Sequence, residues 1–262
     1  MMTRILVGIP GVILVLLAVV VGGPIFAGLV LLLALLGLYE VYRLVAPYRP
    51  LVWAGYAGVA TLVVAAAAVS PPERALLIGV GAALFYLAIA AVRTPGGKHL
   101  ASRLGVTGLG VIYLGVPLAV LVLTRRLEHG EAAVVNVLVG TWVFDSASYF
   151  GGKLWGRRPI APVISPRKTV EGFVVGLVVG VLAVWVAGLY MDWINHLESV
   201  VLGLAVCLAA YLGDLFESRL KRDAGVKDSG GLIPGHGGVL DRFDALLFST
   251  LAAYLVTVLW VL

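Results

Sequence analysis

Apolar residues fill this chain in long blocks separated by short polar or glycine- and proline-rich breaks. Nine blocks can be drawn, at about residues 5–22, 25–45, 51–69, 76–92, 104–124, 132–151, 169–190, 199–216 and 243–262. Runs of roughly 18 or more apolar residues are long enough to cross a ~30 Å hydrocarbon core as helices. Backbone in lipid must satisfy its own hydrogen bonds, so helices are predicted and an open sheet is excluded. The alternating pattern of a membrane barrel is absent. The breaks carry turn chemistry: Gly22-Gly23-Pro24, Pro47 and Pro50, Ser70-Pro71-Pro72, and Pro95-Gly96-Gly97. The pattern predicts an all-α, polytopic integral membrane protein of about nine transmembrane helices. Its first block follows Arg4 and meets no A-x-A cleavage pattern, so it is read as a retained span.

Composition sharpens this reading. Of 262 residues, 61% are hydrophobic and 13% charged, against about half and a quarter in soluble domains. Cys207 is the single cysteine, which excludes an intrachain disulfide; it reads as a small core residue. Charge then orients the helices. With the N-terminus in the cytoplasm, 16 of the 19 Lys and Arg residues fall on the cytoplasmic side. The three exceptions are Arg74, Arg125 and Arg126. The basic isoelectric point belongs to these loops and implies no nucleic-acid partner.

Against this background the stretch from Asp214 to Asp244 is anomalous. It holds six acids (Asp214, Glu217, Asp223, Asp228, Asp241, Asp244) and five bases (Arg219, Lys221, Arg222, Lys227, Arg242). Asp214 and Glu217 are three apart, as are Asp241 and Asp244, so each pair would share a helical face. Clustered carboxylates repel unless a cation or a base lies between them. Oxygen ligands suit Mg²⁺ or Mn²⁺; neutralisation by Lys221, Arg222 and Arg242 is the plainer alternative. Gly225–Gly238 holds six glycines, and such backbone approaches anions closely. Lys227 and His236 add donors there. Glu40 is the one acid well inside the first five blocks, and reads as a structural pair or interfacial anchor beside Tyr42 and Arg43.

A second concentration runs from Asp145 to Gly172. Its loop carries five bases, and Ser165-Pro166-Arg167-Lys168-Thr169 stands at a helix start, where N–H groups favour anions. Both concentrations fall on the cytoplasmic side of the predicted topology. Residues 1–131 read as scaffold and lipid-contacting helices, and 132–262 as a catalytic region with two cytoplasmic loops. These features indicate phosphate chemistry at a membrane surface. Alone they leave kinase, nucleotidyltransferase and phosphatase open.

Ser218 to Asp244 closely resembles the signature of the phosphatidate cytidylyltransferases: S-x-apolar-K-R, then K-D, then H-G-G-apolar-x-D-R-apolar-D. Leu212–Ser218, Asp145 with Tyr149-Phe150, Ser165-Pro166 with Lys168-Thr169, and Glu171-Gly172 extend the resemblance. Ser146, Val170 and Ala210 depart from residues common in that family. The resemblance implies transfer of CMP from CTP to phosphatidate, forming CDP-diacylglycerol and pyrophosphate. It implies Mg²⁺ or Mn²⁺, with room for a second cation, held by Asp214 and Asp241 and then by Asp244 and Asp145. Lys221, Arg222, Lys227 and Arg242 would hold phosphate, and Ser165, Arg167 and Lys168 would close the site. Ser218 and His236 complete the expected substrate contacts. A bacterial-type inner membrane, an active site facing the cytoplasm and a homodimer packed through glycine-rich spans complete the expectation. The rival readings are CMP transfer to an isoprenoid-ether analogue and, from another class, an ion-coupled transporter.

Overall fold

A computed structural model describes residues 2–95, 99–232 and 237–261. Lys98, Pro234 and His236 lie outside the described residues. The architecture is all-α: α1 Met2–Val21, α2 Gly23–Leu44, α3 Val52–Ala68, α4 Glu73–Arg93, α5 Leu100–Gly110, α6 Val116–Arg125, α7 Gly130–Trp155, α8 Val170–Gly188, α9 His196–Asp223 and α10 Asp244–Val256. Among the described residues, seven helical stretches are long and apolar enough to span a membrane, and two shorter apolar helices cover 8–21 and 52–68. The chain is a polytopic membrane protein, as its hydrophobic blocks predict.

Three local differences from the sequence pattern bear on function. First, part of the loop before α8 is an antiparallel hairpin, β1 Pro159–Ala161 on β2 Ser165–Thr169. Thr169 ends that hairpin and caps α8, its Oγ1 accepting from Gly172 N at 3.2 Å. Secondly, α9 runs to Asp223, well past the apolar edge near 216. An i,i+4 ion pair between Glu217 and Lys221 supports the polar extension. Thirdly, α10 begins only at Asp244, after a 3₁₀ turn at Leu240–Arg242 and a non-helical Phe243. Asp241 and Asp244 therefore do not share the helical face that their spacing predicts.

The described chain forms two compact units. Unit 1 comprises Met1–Arg126 and Asp228–Arg242; unit 2 comprises Leu127–Lys227 and Phe243–Leu262. Within unit 1, α3 packs on α2, α4 and α6, and the Leu240–Arg242 turn packs on α2. A π turn at Val111–Gly115 joins α5 to α6. Arg125 and Arg126 tie this unit together. Arg125 donates to the carbonyls of Val19 (2.6 Å) and Val20 (3.2 Å) at the end of α1. Arg126 donates to the carbonyls of Ala66 (2.5 Å) and Val69 (2.8 Å) and to Ser70 Oγ (3.1 Å) at the end of α3. Helix C-termini leave carbonyls unsatisfied, and guanidinium groups are suited to them. Two of the three bases that depart from the charge asymmetry thus have a structural task.

In unit 2, α8 packs on α7 and α9, and α10 on α9 and α7. Phe144, Cys207, Ala210 and Ala245 form its buried core, with Phe173 and Tyr211 against it. Glycines set the helix separations. A Cβ on Gly172 would meet Ser148 O at 2.7 Å and Gly152 Cα at 2.9 Å, so α7 and α8 touch through backbone. A Cβ on Gly213 would meet Asp244 O at 2.5 Å and Ala245 Cα at 3.3 Å. That close approach brings Asp214, the next residue of α9, to the start of α10.

Candidate active site

Unit 2 gathers acids from three helices: Asp145 from α7, Asp214 from α9 and Asp244 from α10. Asp145 repels both of the others electrostatically, and Asp214 repels Asp244. The group is open to ligands, with Asp145 exposed and Asp214 and Asp244 half-buried. The end of β2 supplies the balancing charge. Lys168 Nζ pairs with Asp214 Oδ2 at 2.5 Å and stands 5.3 Å from the centre of the Tyr211 ring. Asp214 Oδ1 also accepts from Ser218 Oγ at 3.3 Å. Sequence reasoning names Lys168, Asp214 and Ser218 separately; the fold makes them one cluster.

Glu217 plays a different part from Asp214. Its side chain is fully buried and paired with Lys221, whose side chain is 11% exposed. Removing one partner of such a buried pair strands a charge and costs ~3–5 kcal/mol, against ~0.3–0.5 kcal/mol for an exposed i,i+4 pair. Arg222 lies further along α9 and donates from Nε to Ile164 O (3.2 Å) and from Nη1 to Val226 O (3.0 Å). It links the helix end to the hairpin turn. Ser165 is half-buried, whereas Arg167 and Lys227 are exposed. Glu171 Oε2 accepts from the N–H groups of Arg157 (2.9 Å) and Arg158 (3.2 Å), which fixes the chain as it leaves α7.

Three buried hydroxyls of this unit, Thr141 Oγ1, Ser148 Oγ and Tyr211 OH, make no hydrogen bond among the described residues. Tyr211 is a residue that sequence reasoning passes over. Its position one turn before Asp214 on α9 is the only signal the chain offers.

Unit 1 holds the rest of the signature. The carboxylate of Asp241 accepts from Gly238 N (2.8 Å to Oδ2) and from Ser229 N (3.0 Å to Oδ2, 3.3 Å to Oδ1). It thereby closes the two described ends of the glycine-rich loop on each other. Arg242 is exposed. Glu40, fully buried on α2, accepts from Ser229 Oγ (3.1 Å), Val239 N (3.0 Å) and Leu240 N (2.8 Å). Hydrogen bonds to a charged group contribute ~1.5–3 kcal/mol each. Three of them are of the size needed to offset the several kcal/mol that a buried carboxylate loses in hydration.

The donor chemistry of the unit 2 acids, all oxygen and mutually repelling, fits a hard divalent cation. Among the described residues, no three His, Cys, Asp or Glu side chains stand where one ion could touch them all. In this arrangement Lys168 provides the neutralising charge to Asp214.

A sequence model of the Cytidylyltransferase family matches residues 2–260. The chain belongs to the cytidylyltransferase family. Among curated cytidylyltransferases, the phosphatidate cytidylyltransferase of Bacillus subtilis is 40% identical over 148 residues, 56% of this chain and 55% of that one. That of Staphylococcus saprophyticus is 39% identical over 142 residues, 53% of this chain and 54% of its own. A relative from Escherichia coli, named Uncharacterized protein YnbB, is 40% identical over 126 residues, 48% of this chain and 42% of its own. The chain spans about half the length of the curated relatives it matches.

Proposed function

We propose that this cytidylyltransferase is a phosphatidate cytidylyltransferase: CTP and phosphatidate give CDP-diacylglycerol and pyrophosphate. The observation that carries the reading is the Asp145–Asp214–Asp244 cluster with Lys168, built from the segments that bear the family signature. The names of the Bacillus and Staphylococcus relatives support CTP and phosphatidate as the substrates. In this reaction a phosphate oxygen of the lipid attacks the α-phosphorus of CTP, and pyrophosphate departs. A phosphate monoester with a second pKa near ~6 is largely ionised at neutral pH. The enzyme needs no strong base to make this nucleophile. It must bring two anions together and stabilise a third as it leaves.

Lys221, Arg222 and Lys227 are proposed to hold phosphate oxygens, with Ser165, Arg167, Lys168 and Ser218 beside them; the same role is proposed for Arg242. A metal-binding role is proposed separately for Asp241, and in unit 2 Mg²⁺ or Mn²⁺ would be held by carboxylates drawn from Asp145, Asp214 and Asp244. When bound, it would screen the phosphate charges and polarise the leaving group. Lys168 then has a second task, since its charge holds Asp214 in place before a cation arrives. The active site is proposed to face the cytoplasm of a bacterial-type inner membrane, as the charge asymmetry supports.

The test is formation of radiolabelled CDP-lipid from labelled CTP by the purified protein in detergent. Label should appear only with phosphatidate and a divalent cation, and chelation with EDTA should abolish it. Asp214→Asn should lower turnover at least a hundredfold in a protein that remains monodisperse. Transfer that persists undiminished in EDTA removes the metal from the proposal. An absence of transfer to any diacyl or ether phosphatidate removes the proposal itself.

A further inference from the structure

Glu40 lies 174 residues before Asp214, in a helix that the family signature does not touch. Beside Arg43 near the end of an apolar block, it has the sequence context of an interfacial anchor. The structure gives it another setting. It is fully buried, and Arg43 instead stacks on the Tyr39 ring at 5.8 Å.

Both oxygens of Glu40 are used. Oε1 accepts from Val239 N, and Oε2 from Leu240 N and Ser229 Oγ. These donors come from the two described ends of the glycine-rich segment, residues 229–232 and 237–242. A Cβ on Gly230 or Gly238 would collide with the Glu40 carboxylate. The backbone has closed around this group, and glycine at those two positions is what allows it. Ser229 is held twice, through its hydroxyl by Glu40 and through its N–H by Asp241. Every contact in this arrangement lies within unit 1.

We infer that Glu40 is a positioning residue: its buried carboxylate is the template on which the segment bearing Asp241 and Arg242 is held in shape. The effect on turnover rests on the proposed cytidylyl transfer, whereas the effect on the segment does not. An acceptor with two oxygens is required, because all three partners are donors. Glutamine keeps the volume of Glu40 but turns an N–H₂ group toward those donors. A residue that merely fills space would tolerate that change.

The experiment compares wild type with Glu40→Gln and Glu40→Asp by hydrogen–deuterium exchange and by CDP-lipid formation. In Glu40→Gln, amides of 237–242 should exchange at least tenfold faster while α3 and α9 keep wild-type protection. Turnover should fall at least tenfold. Glu40→Asp, one methylene shorter but still all acceptor, should lie between the two. Wild-type exchange at 237–242 in Glu40→Gln overturns the inference, as does faster exchange there with undiminished turnover. Equal loss of protection in every helix also overturns it, since Glu40 would then serve general stability. If the wild type transfers no CMP, the proposed function fails and the exchange comparison alone decides the role of Glu40.

Discussion

Carboxylates in this protein have distinct tasks that their residue type does not reveal. Asp214 is half-buried and shares Lys168 and Ser218. Glu217, three residues on, is sealed and paired with Lys221. Glu217→Ala should therefore lower stability by about 3 kcal/mol, the low end for a buried pair because Lys221 keeps a little exposure. Thermal unfolding in detergent, followed by tryptophan fluorescence, measures this. An unchanged melting temperature would place the pair among exposed ones. The i,i+4 spacing made this pair legible in the sequence. The pairing of Lys168 with Asp214 was not, because the two lie 46 positions apart with α8 and the first part of α9 between them. Glu40 was legible only as an anomaly. Its partners lie 189 to 200 residues further along the chain, and no local period reports such a contact.

At the scale of elements, apolar blocks marked the helices well, since lipid demands long uninterrupted helical backbone. They marked the polar ends poorly. The block near 199–216 ends where α9 still has two turns to run, because ion pairing and backbone bonds continue after hydrophobicity stops. The hairpin before α8 was invisible to a hydropathy pattern, since its strands have three and five residues and are mostly polar or proline-bearing. Helix separation is equally local in cause and tertiary in effect. At Gly213 an added methyl would press on Asp244 O, a backbone atom that cannot rotate away. Gly213→Ala should thus push α9 from α10, at a cost of about 1–3 kcal/mol for overpacking. It should also lower CDP-lipid formation at least tenfold by moving Asp214 from Asp244. Alanine at Gly225, where no side-chain contact constrains it but φ is +71°, offers a contrast of backbone strain without helix displacement. Equal activity in Gly213→Ala and wild type would show that the acids tolerate a wider spacing.

Across the whole molecule, charge asymmetry remains the basis for orientation. An impermeant maleimide tests it directly. Cys207 is fully buried, so the native chain should react little. Arg167→Cys should label in inverted inner-membrane vesicles and stay unlabelled in right-side-out ones; Glu128→Cys should show the reverse. The opposite pattern would invert the topology and move the proposed chemistry to the other side of the membrane.

The sequence by itself determined that the chain spans a membrane as helices, because block length and hydrophobicity are properties of consecutive residues. It also determined which segments carry unusual chemistry, since acids, bases and glycines amid apolar blocks stand out without coordinates. Tertiary structure decided how those residues divide. The chain leaves unit 2 after Lys227, supplies unit 1 with Asp228–Arg242, and returns at Phe243. Asp241 and Asp244, three residues apart, consequently serve different units. Asp241 satisfies backbone N–H groups of the glycine-rich segment, while Asp244 joins Asp145 and Asp214. The physical reason is that a non-helical residue, Phe243, stands between them and removes the shared face that spacing alone implied.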